Sequence, residues 1–330
     1  GSRICATIQF TTARRRMPAV VKPCSGAGAE ILGVSLKNLS QEDLSTIKAE
    51  LSKRGVVFFR DQTLSPEEHV NFAKLFGPIN VNRFFKKVDG HPEVAEVLKD
   101  KGDIINLGSV FHTDTSYDVD PCLGSVLVAR ELPEVGGDTL FVDMYRAFET
   151  LPEDLKLKVL GMNAVHSSKH VFGNISLLDG DRLGNGEQAS QDAVHPVVLT
   201  HPDSGRRVLF VNPTFTIRFE GMTVEESWPL LETLYRHAAQ PQQLHRFHWL
   251  PGSVAFWDNR ATWHAALNDY PGCRRVMHRV TIEGRQLTDL NTAQRVAEAG
   301  SIQGNQYNPF EEFHLELVQS AIETTTPSKL

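Results

Sequence analysis

His112 and Asp114, separated by one residue, are the side chains in this sequence best placed to bind a metal together. In a β-strand, residues two positions apart point to the same face, so this imidazole and this carboxylate could converge on one cation. His264, which follows a predicted strand, is the best candidate for a third ligand. Two histidines and one carboxylate leave three octahedral positions open, an arrangement typical of non-haem Fe(II) oxygenases. Zinc hydrolases use similar ligands and stay open as an alternative.

Two arginines further along the chain, Arg275 and Arg279, could bind anions near that metal. Residues 268–272 predict a turn, and the run that follows predicts a strand that turns Met277 and Thr281 to the same face as both arginines. A buried arginine is costly unless it meets an anion, and its planar guanidinium can grip an oxyanion with two hydrogen bonds. The alternatives are a solvated face or pairing with acidic side chains, and the flanking apolar residues disfavour full solvation.

The segments that would carry these residues are mostly short strands. Turn-type segments, such as Gly136-Gly137-Asp138, separate these strands and predict a mainly β protein with flanking helices, built as a barrel or jelly roll. The strand patterns cover residues 55–59, 94–98, 123–130, 139–143, 194–200, 207–212, 245–249, 254–258 and 274–283.

Helices are predicted before and between these strands. Ser40 and Asp43 form the pattern of a capping box, and Ser65-Pro66 begins a second helix with proline at its first position. Two further helices are predicted at about 144–160 and 223–238. Residues 167–193 predict a lid loop because they are rich in Gly, Asn, Asp and Ser, and residues 286–330 predict a peripheral extension.

Composition narrows the class of protein. The formal charge of −6 disfavours a general nucleic-acid binder, and no apolar run approaches the ~18 residues needed to cross a bilayer. The four cysteines lack a CxxC pair, which favours free thiols in a reducing compartment. Residues 1–17 predict a tag or a targeting segment, so we expect a cytoplasmic protein, or an organellar one if this segment is a transit peptide. Residues 18–285 would form a single domain, and a homo-dimer or tetramer is compatible with the sequence.

From about Gly28 to Gly284 the chain resembles the taurine/2,4-dichlorophenoxyacetate (TauD/TfdA-like) dioxygenase family. The resemblance rests on His112-Thr113-Asp114, on the stretch 132–140, and on the segment from Trp257 through His264 to Arg279. It implies a double-stranded β-helix, a cupin-like jelly roll. It also implies a 2-oxoglutarate-dependent dioxygenase that uses Fe(II) and O2, hydroxylates its substrate, and releases succinate and CO2.

The resemblance also assigns roles to individual residues. It implies that His112, Asp114 and His264 bind the iron. Arg275, eleven residues after His264, and Thr139 would bind the distal carboxylate of 2-oxoglutarate. Arg279, fifteen residues after His264, would contact the anionic group of the substrate. With Asp114 present, no ligand position is vacant for a halide, which disfavours halogenation.

The substrate pocket departs from the pattern of family members that act on taurine. Their histidine, tyrosine and asparagine positions correspond here to Asn82, Phe85 and Gly108, so taurine is disfavoured. Arg279 still indicates a small anionic substrate, while Phe84, Phe85 and Phe111 suggest a less polar body. A sulfonate or alkyl sulfate is favoured, an aryloxy or other carboxylate comes second, and a non-catalytic ligand-binding or sensor protein is a further alternative.

Other histidines are also candidates for metal or acid–base work, although such residues more often lie on the surface or form hydrogen bonds in the core. His170 is the most interesting of them because it lies at the start of the predicted lid. The set is His166, His170, His195, His201 and His278.

Overall fold

The computed structural model describes residues 18–173, 182–189, 192–285, 287 and 311–325, and all structural statements concern these residues. The predicted N-terminal tag or targeting segment lies outside them, as does most of 286–310. The strands are β1 (Val20–Pro23), β2 (Ala29–Leu32), β3 (Val56–Phe59), β4 (Ile79–Asn80), β5 (Lys87–Val88), β6 (His91–Lys99), β7 (Gly124–Glu131), β8 (Thr139–Asp143), β9 (Asn163–Ser167), β10 (Asp192–Pro196), β11 (Val198–Thr200), β12 (Arg207–Leu209), β13 (Thr216–Phe219), β14 (Leu244–Phe247), β15 (Val254–Asp258), β16 (Thr262–Ala266) and β17 (Arg275–Ile282). The α-helices are α1 (Gln41–Arg54), α2 (Pro66–Lys74), α3 (Met144–Glu149), α4 (Glu153–Val159), α5 (Lys169–Phe172), α6 (Val224–Ala238) and α7 (Glu311–Thr325).

The first two helices begin at the residues that the sequence predicts. Ser40 accepts a hydrogen bond from the backbone of Asp43, whose side chain accepts one in return, and Ser65 caps α2 in the same way. Such reciprocal caps satisfy backbone donors that a helix start leaves unpaired. Gly55 ends α1 with φ of 75°, a conformation in which glycine avoids the Cβ penalty.

Two of the sheets form layers that face each other, while β10-β9-β13 and β11-β12 form two smaller sheets. Nine strands form the large sheet, in the order β1-β2-β3-β15-β7-β17-β6-β5 with β4 also paired to β17, and β14-β8-β16 form a smaller one. Phe58 of the large sheet stacks on Phe247 of the small sheet, with ring centroids 4.2 Å apart, and its ring edge meets Phe141 of β8. Helices α1 and α2 cover the outer face of the large sheet. The predicted mainly β jelly roll with flanking helices is confirmed.

Two predicted elements are divided in the structure. The single strand predicted at 194–200 is two strands, β10 and β11, which belong to different sheets. The helix predicted at about 144–160 is α3 followed by α4, because Pro152 lacks a backbone N–H and sits at the start of α4.

The predicted lid and C-terminal extension are more ordered than the sequence indicated. The lid segment 167–193 contains helix α5 and the start of β10, and its residues 174–181 and 190–191 lie outside the described part of the chain. Helix α7 is not peripheral, since Leu317, Val318 and Ala321 are buried in the main hydrophobic core. The helix packs against α6 and β14, which the local sequence of the extension could not reveal.

Buried histidines should make the stability of the fold depend on pH. His69 and His195 are buried, and burial lowers the pKa of His69 to about 3 and that of His195 to about 4. Both groups titrate near pH 6.5 when unfolded, so below that pH unfolding takes up protons and stability is lost as the pH falls. We expect the free energy of unfolding to fall by about 1 kcal/mol per histidine for each pH unit between about pH 6 and about pH 4.

Guanidinium chloride unfolding at several pH values measures this dependence. The His69→Gln protein should show a shallower dependence than the unaltered protein. The matched control, His91→Gln, changes a partly exposed histidine of β6 and should keep the original slope. Identical slopes in all three proteins would show that His69 does not stay neutral on folding.

Candidate active site

His112, Asp114 and His264 meet at one end of the space between the two sheets. His112 and His264 exchange backbone hydrogen bonds of 3.1 and 2.9 Å in an isolated β-bridge. Asp114 lies in the turn that follows this bridge, so the prediction that a strand presents both residues is wrong. The turn brings its carboxylate within 3.7 Å of His112 Nε2 and 4.0 Å of His264 Nε2. A cation between them, with bonds of about 2 Å, can span these separations.

The protonation states of the three side chains suit a divalent metal. His112 Nδ1 lies 2.8 Å from the Val110 carbonyl and donates to it, which leaves the Nε2 lone pair facing the other ligands. Burial lowers the pKa of both His112 and His264. Burial alone would raise the pKa of Asp114, but the Arg279 guanidinium, the largest of the opposing effects, helps to lower this pKa to about 2. Two neutral nitrogens and one carboxylate are the donor set that ferrous iron takes in non-haem oxygenases.

Two further residues hold these ligands in place. Gly108 has φ of 77°, and a Cβ atom there would lie 3.1 Å from Cε1 of His112, so glycine leaves room for the ring. Ser125, on β7, donates a hydrogen bond of 3.0 Å to Oδ2 of Asp114. Outer partners of this kind orient a ligand and tune its affinity for the metal.

Arg275 is a buried cation in the wall of the same space, and no carboxylate in the described part of the chain is bonded to it. Its Nε donates to the Gly137 carbonyl at 3.2 Å, while Nη2 is buried without a hydrogen-bond partner among the described residues. The nearby Asp138 accepts from Arg246 and His248 instead. Burial lowers the pKa of Arg275, as expected for a cation whose anion is not part of the protein. This geometry fits an external carboxylate.

The Thr139 hydroxyl can donate a hydrogen bond to a bound carboxylate. It accepts a hydrogen bond of 2.9 Å from the indole N–H of Trp249, which lies two residues after the end of the neighbouring strand β14. With an acceptor site occupied, the hydroxyl proton is left to donate. A donor hydroxyl and a guanidinium that line the same cavity are a suitable pair for one carboxylate.

Arg279 extends from the same face of β17 as Arg275. It does pair with an acidic side chain, which is one of the alternatives that the sequence left open. Its Nη1 donates to Asp114 Oδ1 at 3.0 Å, and its guanidinium lies 4.5 Å from the ring centroid of Phe85. Nε is buried and has no hydrogen-bond partner in the described ranges. The guanidinium is thus fixed on two sides and keeps donor capacity for a second anion.

One cavity of about 550 Å³ is lined by all but two of the residues that the sequence predicts for the site. One exception is Phe111, which is fully buried in the core against Trp263, because the bridge that turns His112 inward turns its neighbour away. Phe84 is also buried elsewhere, stacked on Phe172. The predicted residues that line the cavity are Asn82, Phe85, Gly108, His112, Asp114, Thr139, His264, Arg275 and Arg279.

Comparison with known proteins agrees with this arrangement. A model of the taurine catabolism dioxygenase TauD, TfdA family matches residues 20–281. The chain belongs to this family. It is a 2-oxoglutarate-dependent non-haem iron dioxygenase, with Fe(II) as its cofactor and 2-oxoglutarate as its co-substrate. The expected family and the expected iron- and 2-oxoglutarate-dependent dioxygenase activity are both confirmed, and the zinc hydrolase alternative is set aside.

Three relatives illustrate the range of the family. An α-ketoglutarate-dependent sulfate ester dioxygenase of Pseudomonas putida is 33% identical over 283 residues, covering 83% of this chain and 93% of the relative. An α-ketoglutarate-dependent 2,4-dichlorophenoxyacetate dioxygenase of Burkholderia sp. (strain RASC) is 32% identical, covering 75% and 88%. The crystal structure of a taurine dioxygenase from Burkholderia xenovorans superposes with a TM-score of 0.70 at 35% identity, covering 84% of this chain and 94% of that one.

None of the helices in the described ranges has the length and apolarity that a membrane crossing requires.

Removing the Ser125 hydroxyl should weaken metal binding by this dioxygenase. Asp114 would lose one of the two groups in the described ranges that orient its carboxylate, and such losses cost about 10- to 100-fold in metal affinity. Titration of the Ser125→Ala protein with Fe(II) against a competing chelator measures the effect. Ser109→Ala is the matched control, since Ser109 lines the cavity without contacting the carboxylate. Equal affinities of the two variants would contradict the assigned role of Ser125.

All five of the other candidate histidines form hydrogen bonds with protein groups, which is the commoner case. His166 contacts the Ser116 hydroxyl, His195 the Asp118 carbonyl, His201 the Asp258 carboxylate and His278 the Arg130 guanidinium. His170 alone among the five lines the cavity, and its Nε2 lies 2.6 Å from the Thr214 carbonyl. The lid segment therefore contributes a side chain to the cavity.

A second group of potential metal ligands, around Asp258, has a different explanation. Its carboxylate already binds the Arg260 guanidinium at 2.6 Å and His201 at 3.0 Å, and Arg260 also reaches Asp203. The arginine supplies the positive charge that a metal would bring. The group ties the β15–β16 turn to the loop after β11, and thereby supports the strand that carries His264.

Sequence reasoning missed several side chains of the site. Tyr117 lines the cavity three residues after Asp114, and its ring packs 4.8 Å from that of Phe215, which also lines it. The inward-facing positions of the predicted strand 123–130 could have indicated Ser125 through the period of two. Trp249 and His314 had no local signal, because only tertiary packing brings them to the site.

Proposed function

We propose that this dioxygenase hydroxylates a small anionic organic compound, and that a sulfate ester or a sulfonate is the favoured class. The observation that carries the proposal is the buried Arg279 guanidinium, which lies in the wall of the cavity and touches the metal-binding carboxylate of Asp114. An anion held by Arg279 would lie close to the metal, so the carbon next to that anionic group would be presented for oxidation. The sulfate ester dioxygenase relative supports this class of substrate.

Different residues of the cavity would bind the metal, the co-substrate and the substrate. His112, Asp114 and His264 would hold Fe(II), which supplies the activation of O2 that couples decarboxylation of 2-oxoglutarate to substrate oxidation. Arg275 and Thr139 would bind and orient the distal carboxylate of the co-substrate. Arg279 would orient the substrate, and the cavity walls, together with the bound substrate, would limit the access of water to the metal.

An aryloxy carboxylate is the second candidate class. Aromatic side chains line the cavity beside Arg279 and would pack against an aromatic ring. The 2,4-dichlorophenoxyacetate dioxygenase relative supports this class. The aromatic lining residues are Phe85, Tyr117, Phe172, Phe215 and Trp257.

A substrate panel tests the proposal. Sulfonates, sulfate esters and aryloxy carboxylates would each be incubated with Fe(II) and 2-oxoglutarate, and O2 consumption and succinate would be followed. We expect substrate-dependent succinate formation with at least one sulfate ester or sulfonate. Binding of 2-oxoglutarate without turnover of any compound would favour the non-catalytic ligand-binding alternative. Turnover of aryloxy carboxylates alone would favour the second candidate.

Replacing Arg279 should separate substrate binding from co-substrate binding. In the Arg279→Gln protein we expect the KM of the anionic substrate to rise by about 10- to 100-fold, because a charge-assisted pair of hydrogen bonds is lost. The KM of the co-substrate should stay within about twofold, since Arg275 is intact. Steady-state kinetics at saturating Fe(II) measures both values. A parallel rise in both would argue against a specific contact of Arg279 with the substrate.

The oligomeric state and the cellular location stay predictions. A homo-dimer or tetramer would be detected by light scattering during size-exclusion chromatography, and cytoplasmic location by fractionation of the source cells.

A further inference from the structure

Helix α7 lies beyond the segment that the family model matches, yet it is packed into the domain. The match ends at residue 281, whereas the helix begins at Glu311. The Phe313 ring meets the Trp228 ring of α6 edge-on at 5.0 Å, and the Arg236 guanidinium lies 4.6 Å from the Phe313 centroid. Together with the buried residues Leu317, Val318 and Ala321, these contacts hold the first turns of the helix against α6.

This packing places His314 at the cavity. Its side chain is only 4% exposed, and it lines the same cavity as the metal ligands and Arg279. Its ring lies 6.2 Å from the ring of Tyr235, on the face of α6 that points into the protein. The C-terminal helix therefore contributes a polar side chain to a site that otherwise comes from the family domain.

His170 of the lid is the electrostatic neighbour of His314. Burial, reinforced by the charge that His170 would carry, lowers the pKa of His314 to about 4, and burial also lowers the pKa of His170. Both rings are therefore neutral near pH 7, and each offers one donor and one acceptor nitrogen. His170 donates through Nε2 to the Thr214 carbonyl, so its Nδ1 is an acceptor.

The two histidines and Arg279 come from different walls of the cavity. Arg279 is on β17 of the large sheet, while His170 and His314 are on α5 and α7. Apolar side chains such as Leu183 and Phe215 line the remaining surface. A substrate whose anionic group is bound by Arg279 would place its other end near the wall that α5 and α7 form.

We propose that α7 forms part of the substrate cavity and that His314 hydrogen-bonds to a polar group of the substrate remote from its anionic group. This inference rests on the proposed function, because it takes Arg279 as the site for the anion. It narrows the substrate class to anionic compounds with a second hydrogen-bonding group, such as a hydroxyl, at the far end of an apolar body. A group of this kind would exchange a hydrogen bond with the buried imidazole, which a plain alkyl chain cannot do.

Paired substrates test the role of His314. Alkyl sulfates of increasing chain length would be compared with ω-hydroxyalkyl sulfates of the same lengths. In the His314→Phe protein, we expect the KM of the best hydroxylated member to rise about tenfold, the size expected for one lost hydrogen bond. The KM of the matching alkyl sulfate and that of the co-substrate should not change. His314→Gln, which keeps a donor and an acceptor, should restore most of the loss. Leu315→Ala, an exposed neighbour on the same helix, is the control and should behave like the unaltered protein.

A binding measurement separates failure of this inference from failure of the proposed function. The ring resonances of His314, assigned by their absence in His314→Gln, would be followed by NMR in Zn(II)-loaded protein with 2-oxoglutarate as the ω-hydroxyalkyl sulfate is added. A shift without succinate formation in the Fe(II) enzyme would support the contact and overturn the proposed function. Succinate formation without a shift, and with equal KM values in His314→Phe, would overturn the contact alone. If there were no turnover and no shift, both the contact and the proposed function would be overturned.

Discussion

The Asp114→Ala protein is expected to lose tight Fe(II) binding and substrate-coupled succinate formation. Asp114 is the only carboxylate of the triad, and it faces two neutral imidazoles, so its removal takes away the negative charge that a divalent cation needs. Loss of an outer partner of a ligand costs about 10- to 100-fold in affinity, and loss of the ligand itself should exceed about 100-fold. Titration of the apoprotein with Fe(II), together with a succinate assay, measures both effects.

The matched control for this substitution is Asp120→Ala. Asp120 is an exposed aspartate six residues further along the chain and is not part of the triad. Its variant should bind iron and turn over substrate like the unaltered protein. Full activity of Asp114→Ala would refute the assignment of the metal site.

The Arg275→Ala protein is expected to bind 2-oxoglutarate about 100-fold more weakly. A buried guanidinium that lacks a bonded carboxylate in the described part of the chain would lose its hydrogen bonds to the co-substrate, each worth about 1.5 to 3 kcal/mol when charged. The affinity of the Arg275→Lys protein for 2-oxoglutarate should lie between those of the unaltered protein and Arg275→Ala, because lysine keeps the charge but lacks the planar pair of donors. The KM of the co-substrate and its protection of the protein against thermal unfolding give two independent readings.

The adjacent arginine supplies the control. Arg274 immediately precedes β17, where it is partly exposed and pairs with Glu131. Arg274→Ala should therefore leave the KM of the co-substrate unchanged. If both variants raised this KM equally, the effect would come from a disturbed strand rather than from a contact with the co-substrate.

Local signals in the sequence were sufficient for much of the fold. The capping boxes at Ser40 and Ser65 place the starts of α1 and α2, and the strands β8 and β15 have the predicted bounds. The alternation along β17 also placed Arg275 and Arg279 on one face, because strand periodicity does not depend on distant contacts.

The errors arose where distant parts of the chain decide the structure. His112 and Asp114 converge through a single bridge to His264 and a turn, and the bridge partner lies 152 positions away in sequence. The same bridge buries Phe111 in the core. Helix α7 could be foreseen as an amphipathic segment, with Phe313, Leu317 and Ala321 four residues apart, but its docking surface on α6 could not.

The spacing of the two cavity arginines on β17 has a consequence for inhibitor design. Four residues of strand at a rise of ~3.3 Å separate their Cα atoms by about 13 Å. Hydrogen bonds to β6 and β7 on either side keep this interval fixed. A bivalent compound that joins a keto-acid mimic for Arg275 to an anionic tail for Arg279 would engage both guanidinium groups, with the second contact strengthened by the high effective concentration that the linker creates.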